Sequence, residues 1–76
     1  MIDAGINNGD VLIVDRSIDA KIGNIVLAEL DGEFTIKFLG KNQLIPANPK
    51  YAPINFLEGQ TVSIAGVVTG LMRRLV

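Results

Sequence analysis

Lysine, serine, threonine, tyrosine and carboxylate side chains are the groups of this chain that could carry out chemistry, because cysteine and histidine are both absent. Their absence excludes disulfides, cysteine nucleophiles, the usual zinc sites and a Ser-His-Asp triad. A serine activated by a lysine remains possible, since a neutral amine can accept the proton of a hydroxyl. The sequence has two serines, Ser17 and Ser63. Both stand in contexts typical of ordinary surface, and neither is a persuasive nucleophile.

Lys37 is the candidate general base, because the hairpin predicted around it surrounds it with apolar residues. Asp31-Gly32 is typical of a two-residue type I′ turn, which places Lys37 opposite Val26. Desolvation disfavours the ammonium form of a lysine, which suits a proton acceptor. The simpler alternative is that Lys37 lays its methylenes over apolar surface and extends its amine to water, and spacing alone favours that alternative. The two predicted faces are Val26, Ala28, Leu30, Thr35, Lys37 and Leu39 on one side, and Ile25, Leu27, Phe34, Ile36 and Phe38 on the other.

The elements that must position Lys37 are short strands. Turn signals recur along the chain, and the stretches between them are rich in β-branched residues without a helical period, which predicts a mainly β domain of short antiparallel strands. The segment 46–53 contains three prolines and is expected to cross the surface outside the sheet, with Tyr51 as its anchor. The predicted strands cover residues 11–15, 24–30, 33–39, 43–46 and 61–72.

The composition of the chain limits the kinds of partner that it is expected to bind. Hydrophobic residues make up 49% of 76 residues, more than a chain this short can bury alone, so a partner or an identical subunit is expected to cover the excess. A net charge of −1 without a basic stripe argues against direct nucleic-acid binding. The apolar runs are too short to cross a bilayer, which favours a cytoplasmic protein. Arg73 and Arg74 form too small a basic end for any assigned role.

No metal or cofactor is expected. The four aspartates near the start of the chain do not have the spacing of a calcium loop, and turns attract aspartate for backbone reasons. The glycines do not form a phosphate loop, because no Gly-Lys-Ser/Thr sequence follows them. The aspartates considered are Asp3, Asp10, Asp15 and Asp19.

An ordered set of short segments resembles the C-terminal domain of UmuD-type SOS mutagenesis proteins, within the LexA/UmuD family of Ser/Lys self-cleaving peptidases. The set covers almost the whole chain, and its DGEFTIK segment is fairly specific. The segments are residues 1–6 (MIDAGI), 9–15 (GDVLIVD), 23–26 (GNIV), 31–37 (DGEFTIK), 44–54 (LIPANPKYAPI) and 66–68 (GVV).

The resemblance implies a small β-clip domain over residues 1–76 with Lys37 as general base. The family's nucleophilic serine would immediately precede Met1, and its oxyanion-hole amides would belong to the same upstream segment, so the chain by itself is expected to be inactive. In the parent, RecA filaments would stimulate self-cleavage of an N-terminal arm. The trimmed homodimer would then join a Y-family DNA polymerase subunit of the UmuC type for translesion synthesis.

Three alternatives stay open. A LexA-like or prophage repressor would share the fold and the dyad but carry a helix-turn-helix domain upstream. A signal peptidase uses a similar dyad but needs a membrane anchor. A non-catalytic β module for subunit association would leave Lys37 with a purely structural role.

Overall fold

The computed structural model describes residues 9–47, 50–55 and 62–73, and within them the protein is built from β-strands alone. Six strands form one antiparallel sheet, which confirms the predicted mainly β class and agrees with a β-clip domain. The strands are β1 (Val11–Asp15), β2 (Ile25–Leu30), β3 (Glu33–Gly40), β4 (Gln43–Ile45), β5 (Ile54–Asn55) and β6 (Val62–Met72).

The last strand lies inside the sheet rather than at its edge. The spatial order is β1-β6-β2-β3-β4-β5, so β6 pairs with β1 on one side and with β2 on the other. The strands from β2 to β5 follow one another as a meander. Because β6 joins them to β1, the two ends of the described chain meet in adjacent strands.

The hairpin of β2 and β3 has the predicted turn and register. Asp31 and Gly32 both have positive φ angles, 49° and 87°, as a type I′ turn requires. Leu30 then pairs with Glu33 and Val26 with Lys37. The pattern of residue types in the turn was therefore sufficient to predict which side chains share a face.

One face of the sheet holds the core. We call it the core face, and it carries the buried residues Val26, Ala28, Leu44 and Val67. Leu39, Ile54, Val62 and Ala20 pack against them. Since side chains alternate along a strand and directly paired residues share a face, the residues between them project to the opposite side, which we call the outer face.

Two bulges interrupt the pairing of β6, one against β1 between Ile13 and Val14 and one against β2 between Leu27 and Ala28. Gly66 lies beside the second bulge, where the backbone of β1 approaches closely. A Cβ atom at Gly66 would lie 2.5 Å from Cγ1 of Val14 and 3.0 Å from the carbonyl oxygen of Asp15. The first contact is shorter than side chains tolerate, and backbone cannot rotate away from the second.

We expect Gly66→Ala to lower the free energy of unfolding by roughly 1–3 kcal/mol, the usual cost of overpacking. Gly70→Ala is the matched control in the same strand, because a Cβ there meets its nearest atom, Cδ1 of Ile13, at an ordinary 3.5 Å. Urea denaturation of both variants measures the difference. Equal stability of the two variants would contradict the close approach at Gly66.

Several details differ from the sequence prediction. The β5 strand was not predicted, because two residues are too few to show a periodic pattern. Tyr51 is 68% exposed, so its predicted role as an anchor is wrong; it lies outside the strands, as do the other described residues of 46–53. The predicted start of the last strand at Thr61 lies outside the described residues.

Within residues 9–47, 50–55 and 62–73 there is no helix with the length and apolar character needed to span a membrane.

Candidate active site

Lys37 lies in the middle of β3 on the core face. It pairs with Val26, which has no exposed surface, and the Lys37 side chain is itself half-buried. Thr35 and Leu39, two positions away on the same strand, share the face. The β-hairpin therefore places the predicted base in the row of side chains that crosses the buried centre of the sheet.

Within the part of the chain that the structure describes, Lys37 makes no ion pair or hydrogen bond. Asp15 is the carboxylate in the same cross-strand row, which runs Asp15, Val67, Val26, Lys37. Three strand spacings separate the two ends of that row, roughly 14 Å at about 4.8 Å each. Lys37 thus lies opposite an apolar residue and far from this carboxylate.

Ser17 is not placed to work with Lys37. It follows β1, two strands beyond β2, and its hydroxyl and backbone N–H both donate to Oδ1 of Asp15, at 2.6 Å and 2.8 Å. The hydroxyl hydrogen bond, followed by that of the N–H, holds the pKa of Asp15 below its ordinary value. Asp15 therefore caps a turn, the role expected of aspartates in this region.

Ser63 is also not a partner for Lys37. It pairs with Glu29 in the β2–β6 ladder, and Glu29 alternates with Ala28 of the core face, so Ser63 projects from the outer face. Lys37 projects from the core face. The chain therefore brings neither of its own serines to the candidate base, in agreement with the sequence prediction.

The ion pair of Asp10 with Arg73 was missed at the sequence level. Nε and Nη2 of Arg73 donate to the two carboxylate oxygens of Asp10 at 3.1 Å and 2.9 Å. The Asp10 side chain is 4% exposed and that of Arg73 43%. The hydrogen bond and the charge of Asp10 raise the pKa of Arg73. The pair joins the start of β1 to the end of β6, which assigns Arg73 a structural role.

The described residues contain no group of three acidic side chains that could hold a metal ion.

Comparison with known proteins identifies the family. The sequence matches the Peptidase S24-like family over residues 1–69, a range that includes Lys37. The chain belongs to the S24 peptidase family. Membership agrees with the LexA/UmuD resemblance of the sequence segments and with the all-β sheet. At the level of the family, it supports a Ser/Lys self-cleaving peptidase.

The S24 relatives are named LexA repressors rather than UmuD proteins. "LexA repressor 2" of Pseudomonas putida is 49% identical over 78 residues, covering 97% of this chain and 39% of the relative. "LexA repressor 2" of Xanthomonas axonopodis pv. citri is 48% identical over 77 residues, covering 96% of this chain and 36% of the relative. "LexA repressor" of Stenotrophomonas maltophilia is 46% identical with the same coverage. The chain thus spans less than two fifths of the length of these relatives.

Proposed function

We propose that this chain is the self-cleavage and dimerisation domain of a LexA-like transcriptional repressor, with Lys37 as the general base. The names of the relatives favour a repressor over the UmuD-type protein that the sequence segments suggested first. The observation that supports the role of Lys37 is its position: a half-buried lysine opposite a fully buried valine, with no counter-ion among the described residues.

In the proposed reaction, a serine immediately before Met1 in the parent protein is the nucleophile. Its hydroxyl proton passes to Nζ of Lys37 while Oγ attacks the carbonyl carbon of a peptide bond in the upstream arm. The protonated amine then returns the proton to the leaving nitrogen, and the C–N bond breaks. Water, deprotonated by the same amine, hydrolyses the acyl-serine ester and regenerates both groups.

The parent repressor supplies the remaining parts of the proposal. A DNA-damage signal, delivered by RecA filaments, stimulates the cleavage and so separates an upstream DNA-binding domain from this one. The domain itself forms a homodimer in the cytoplasm, binds no nucleic acid directly and needs no metal or cofactor.

Self-cleavage of the parent protein tests the peptidase function. The gene should encode a serine directly before Met1, and the purified parent should divide into two fragments on incubation with RecA filaments assembled on single-stranded DNA. The masses of the two fragments locate the peptide bond that is cleaved. A parent that has the serine and stays intact under these conditions would contradict the proposal.

A UmuD-type parent remains the second candidate, because the segment DGEFTIK at 31–37 favours it. Its product would be an accessory homodimer for a Y-family polymerase. The upstream coding sequence separates the two: a helical DNA-binding domain indicates a repressor, and a short arm ending in serine indicates a UmuD-type protein.

A further inference from the structure

The strand β6 extends beyond β1, and this difference in length leaves part of its edge without a neighbouring strand. On one side, β2 pairs with β6 from Val67 to Val62. On the other side, β1 pairs with β6 only from Met72 to Val67. No other described strand lies on the β1 side of residues 62–65, which we call the free edge. Its backbone donors and acceptors on that side have no partner strand within the described part of the chain.

The free edge lacks residue types that usually keep an edge from pairing with other chains. Such protection commonly comes from lysine, from inward-pointing charges or from proline. The residues of the free edge are Val-Ser-Ile-Ala, without a charge or a proline. Ser63 and Ile64 are exposed, so the described part of the chain does not cover them. The free edge is therefore open to an added strand.

A groove on the outer face adjoins the free edge. Its volume is about 410 Å³, and Ser63, Ile64 and Ala65 line one part of it. Leu27 of β2 and Phe34 of β3 line its far part, and Phe34 is 64% exposed. Because alternate side chains of a strand project to the same face, an added strand would direct every second side chain towards this groove.

Two opposite charges line the same groove. Arg16 follows Asp15, which pairs with Val67, so it lies at the end of the free edge nearest β1. Glu29 pairs with Ser63 across the β2–β6 ladder and lies one strand spacing, about 4.8 Å, from it. Neither Arg16 nor Glu29 makes an ion pair within the part of the chain that the structure describes. A long basic side chain can extend over the small Ser63 side chain to Glu29.

We propose that the free edge binds an extended segment of another protein as an added antiparallel strand, and that this segment carries an acidic, an apolar and a basic residue in succession. Antiparallel pairing, the more stable kind, places the acidic residue beside Arg16 and the basic residue opposite Ser63, within reach of Glu29. The apolar residue lies opposite Ile64. Backbone hydrogen bonds supply affinity and the two charges select the sequence. Lys37 projects from the opposite face, so this site is separate from the peptidase chemistry.

A peptide titration tests the added strand. The probe is acetyl-Thr-Glu-Val-Lys-Thr-amide, added to the isotope-labelled chain while backbone amide shifts are followed by NMR. The shifts of residues 62–65 and of Arg16 should change and reach saturation. The order Lys-Val-Glu sets like charges beside Arg16 and Glu29, so this peptide should bind at least about fivefold more weakly. A titration without saturable shifts at the free edge, or equal affinity for the two orders, would overturn the proposal.

A methylated peptide separates strand pairing from charge attraction alone. N-methylation of the valine and lysine nitrogens removes two consecutive backbone donors and keeps both charges. One of these donors must face β6, because successive residues of a strand turn their N–H groups to opposite sides. The methylated peptide should therefore bind at least about fivefold more weakly. Undiminished affinity would show that the peptide does not pair as a strand.

Arg16→Glu is the matched change in the protein. It should weaken binding of the Glu-Val-Lys peptide at least about fivefold and strengthen binding of a Lys-Val-Lys peptide. Lys21→Glu is the control, because Lys21 is also exposed but does not line the groove. Far-UV circular dichroism establishes that both variants remain folded. Equal effects of the two substitutions would show that net charge, rather than a contact with Arg16, governs binding, and the proposal would be wrong.

Two other occupants of the free edge can be recognised by experiment. If sedimentation velocity shows a dimer that dissociates when the Glu-Val-Lys peptide is added, a second copy of the chain occupies the free edge. If the parent protein does not bind the peptide that this chain binds, an upstream segment of the parent occupies it. Either result overturns the proposal. Self-cleavage is measured separately by fragmentation, so neither result bears on the peptidase function.

Discussion

Lys37→Ala is expected to abolish self-cleavage of the parent protein. Removing a positioned general base costs about 10²- to 10⁴-fold in rate, and the described part of the chain places no other amine in the row that contains Val26. Alanine introduces no charge and fits the face beside Ala28, so the fold should persist. The measurement is the rate of appearance of the two fragments by gel electrophoresis, with RecA filaments present at saturation.

Two further variants separate base catalysis from a role of positive charge. Lys37→Arg keeps the charge and the apolar stem but cannot release a proton near neutral pH, so it should be as inactive as Lys37→Ala. Lys41→Ala is the control, because Lys41 is an exposed lysine in the turn after β3, and it should cleave at the unaltered rate. An active Lys37→Arg would mean that the lysine acts through its charge alone.

Leu44→Ala is expected to lower the free energy of unfolding by about 2–5 kcal/mol. Leu44 is one of the two largest fully buried side chains among the described residues, and it pairs with Leu39 and Ile54 across three strands. Truncation removes apolar contacts and leaves a cavity in the buried core. A chain of this size has roughly 4–11 kcal/mol of stability in total, so a large fraction would be lost. Urea denaturation measures the loss.

Leu71→Ala supplies the comparison for the same chemical change. Leu71 is 40% exposed near the end of β6, so its truncation should lower the free energy of unfolding by well under half as much as Leu44→Ala. Comparable losses for the two leucines would contradict the assignment of the core to the face that carries Leu44.

The hairpin that carries Lys37 could be predicted because its determinants are local. Asp31 and Gly32 accept positive φ angles, a two-residue loop leaves one register, and register alone decides that Lys37 faces Val26. The family could also be predicted from the sequence, because short segments that resemble it occur in the same order along the chain. The choice between a UmuD-type protein and a repressor stays a proposal, because the segment DGEFTIK favours the first and the names of the relatives favour the second.

The remaining features depend on contacts between distant parts of the chain. Asp10 and Arg73 are 63 residues apart, and neither residue has a neighbour that indicates the other. The order of β1, β6 and β2 is another such feature, because among the described strands the last separates the first two. A strand as short as β5 forms because it pairs with β4, and its two residues show no sequence pattern that would predict it.

Insertion of β6 between β1 and β2 also has a consequence during synthesis. Of the described strands, a ribosome delivers Val11–Asp15 first and Val62–Met72 last, so β1 waits without its hydrogen-bonding neighbour while the meander assembles. Completing the sheet requires closure of a loop that spans about two thirds of the chain, which slows folding. During that interval an apolar nascent segment stays open to chaperones and to segments of other nascent chains.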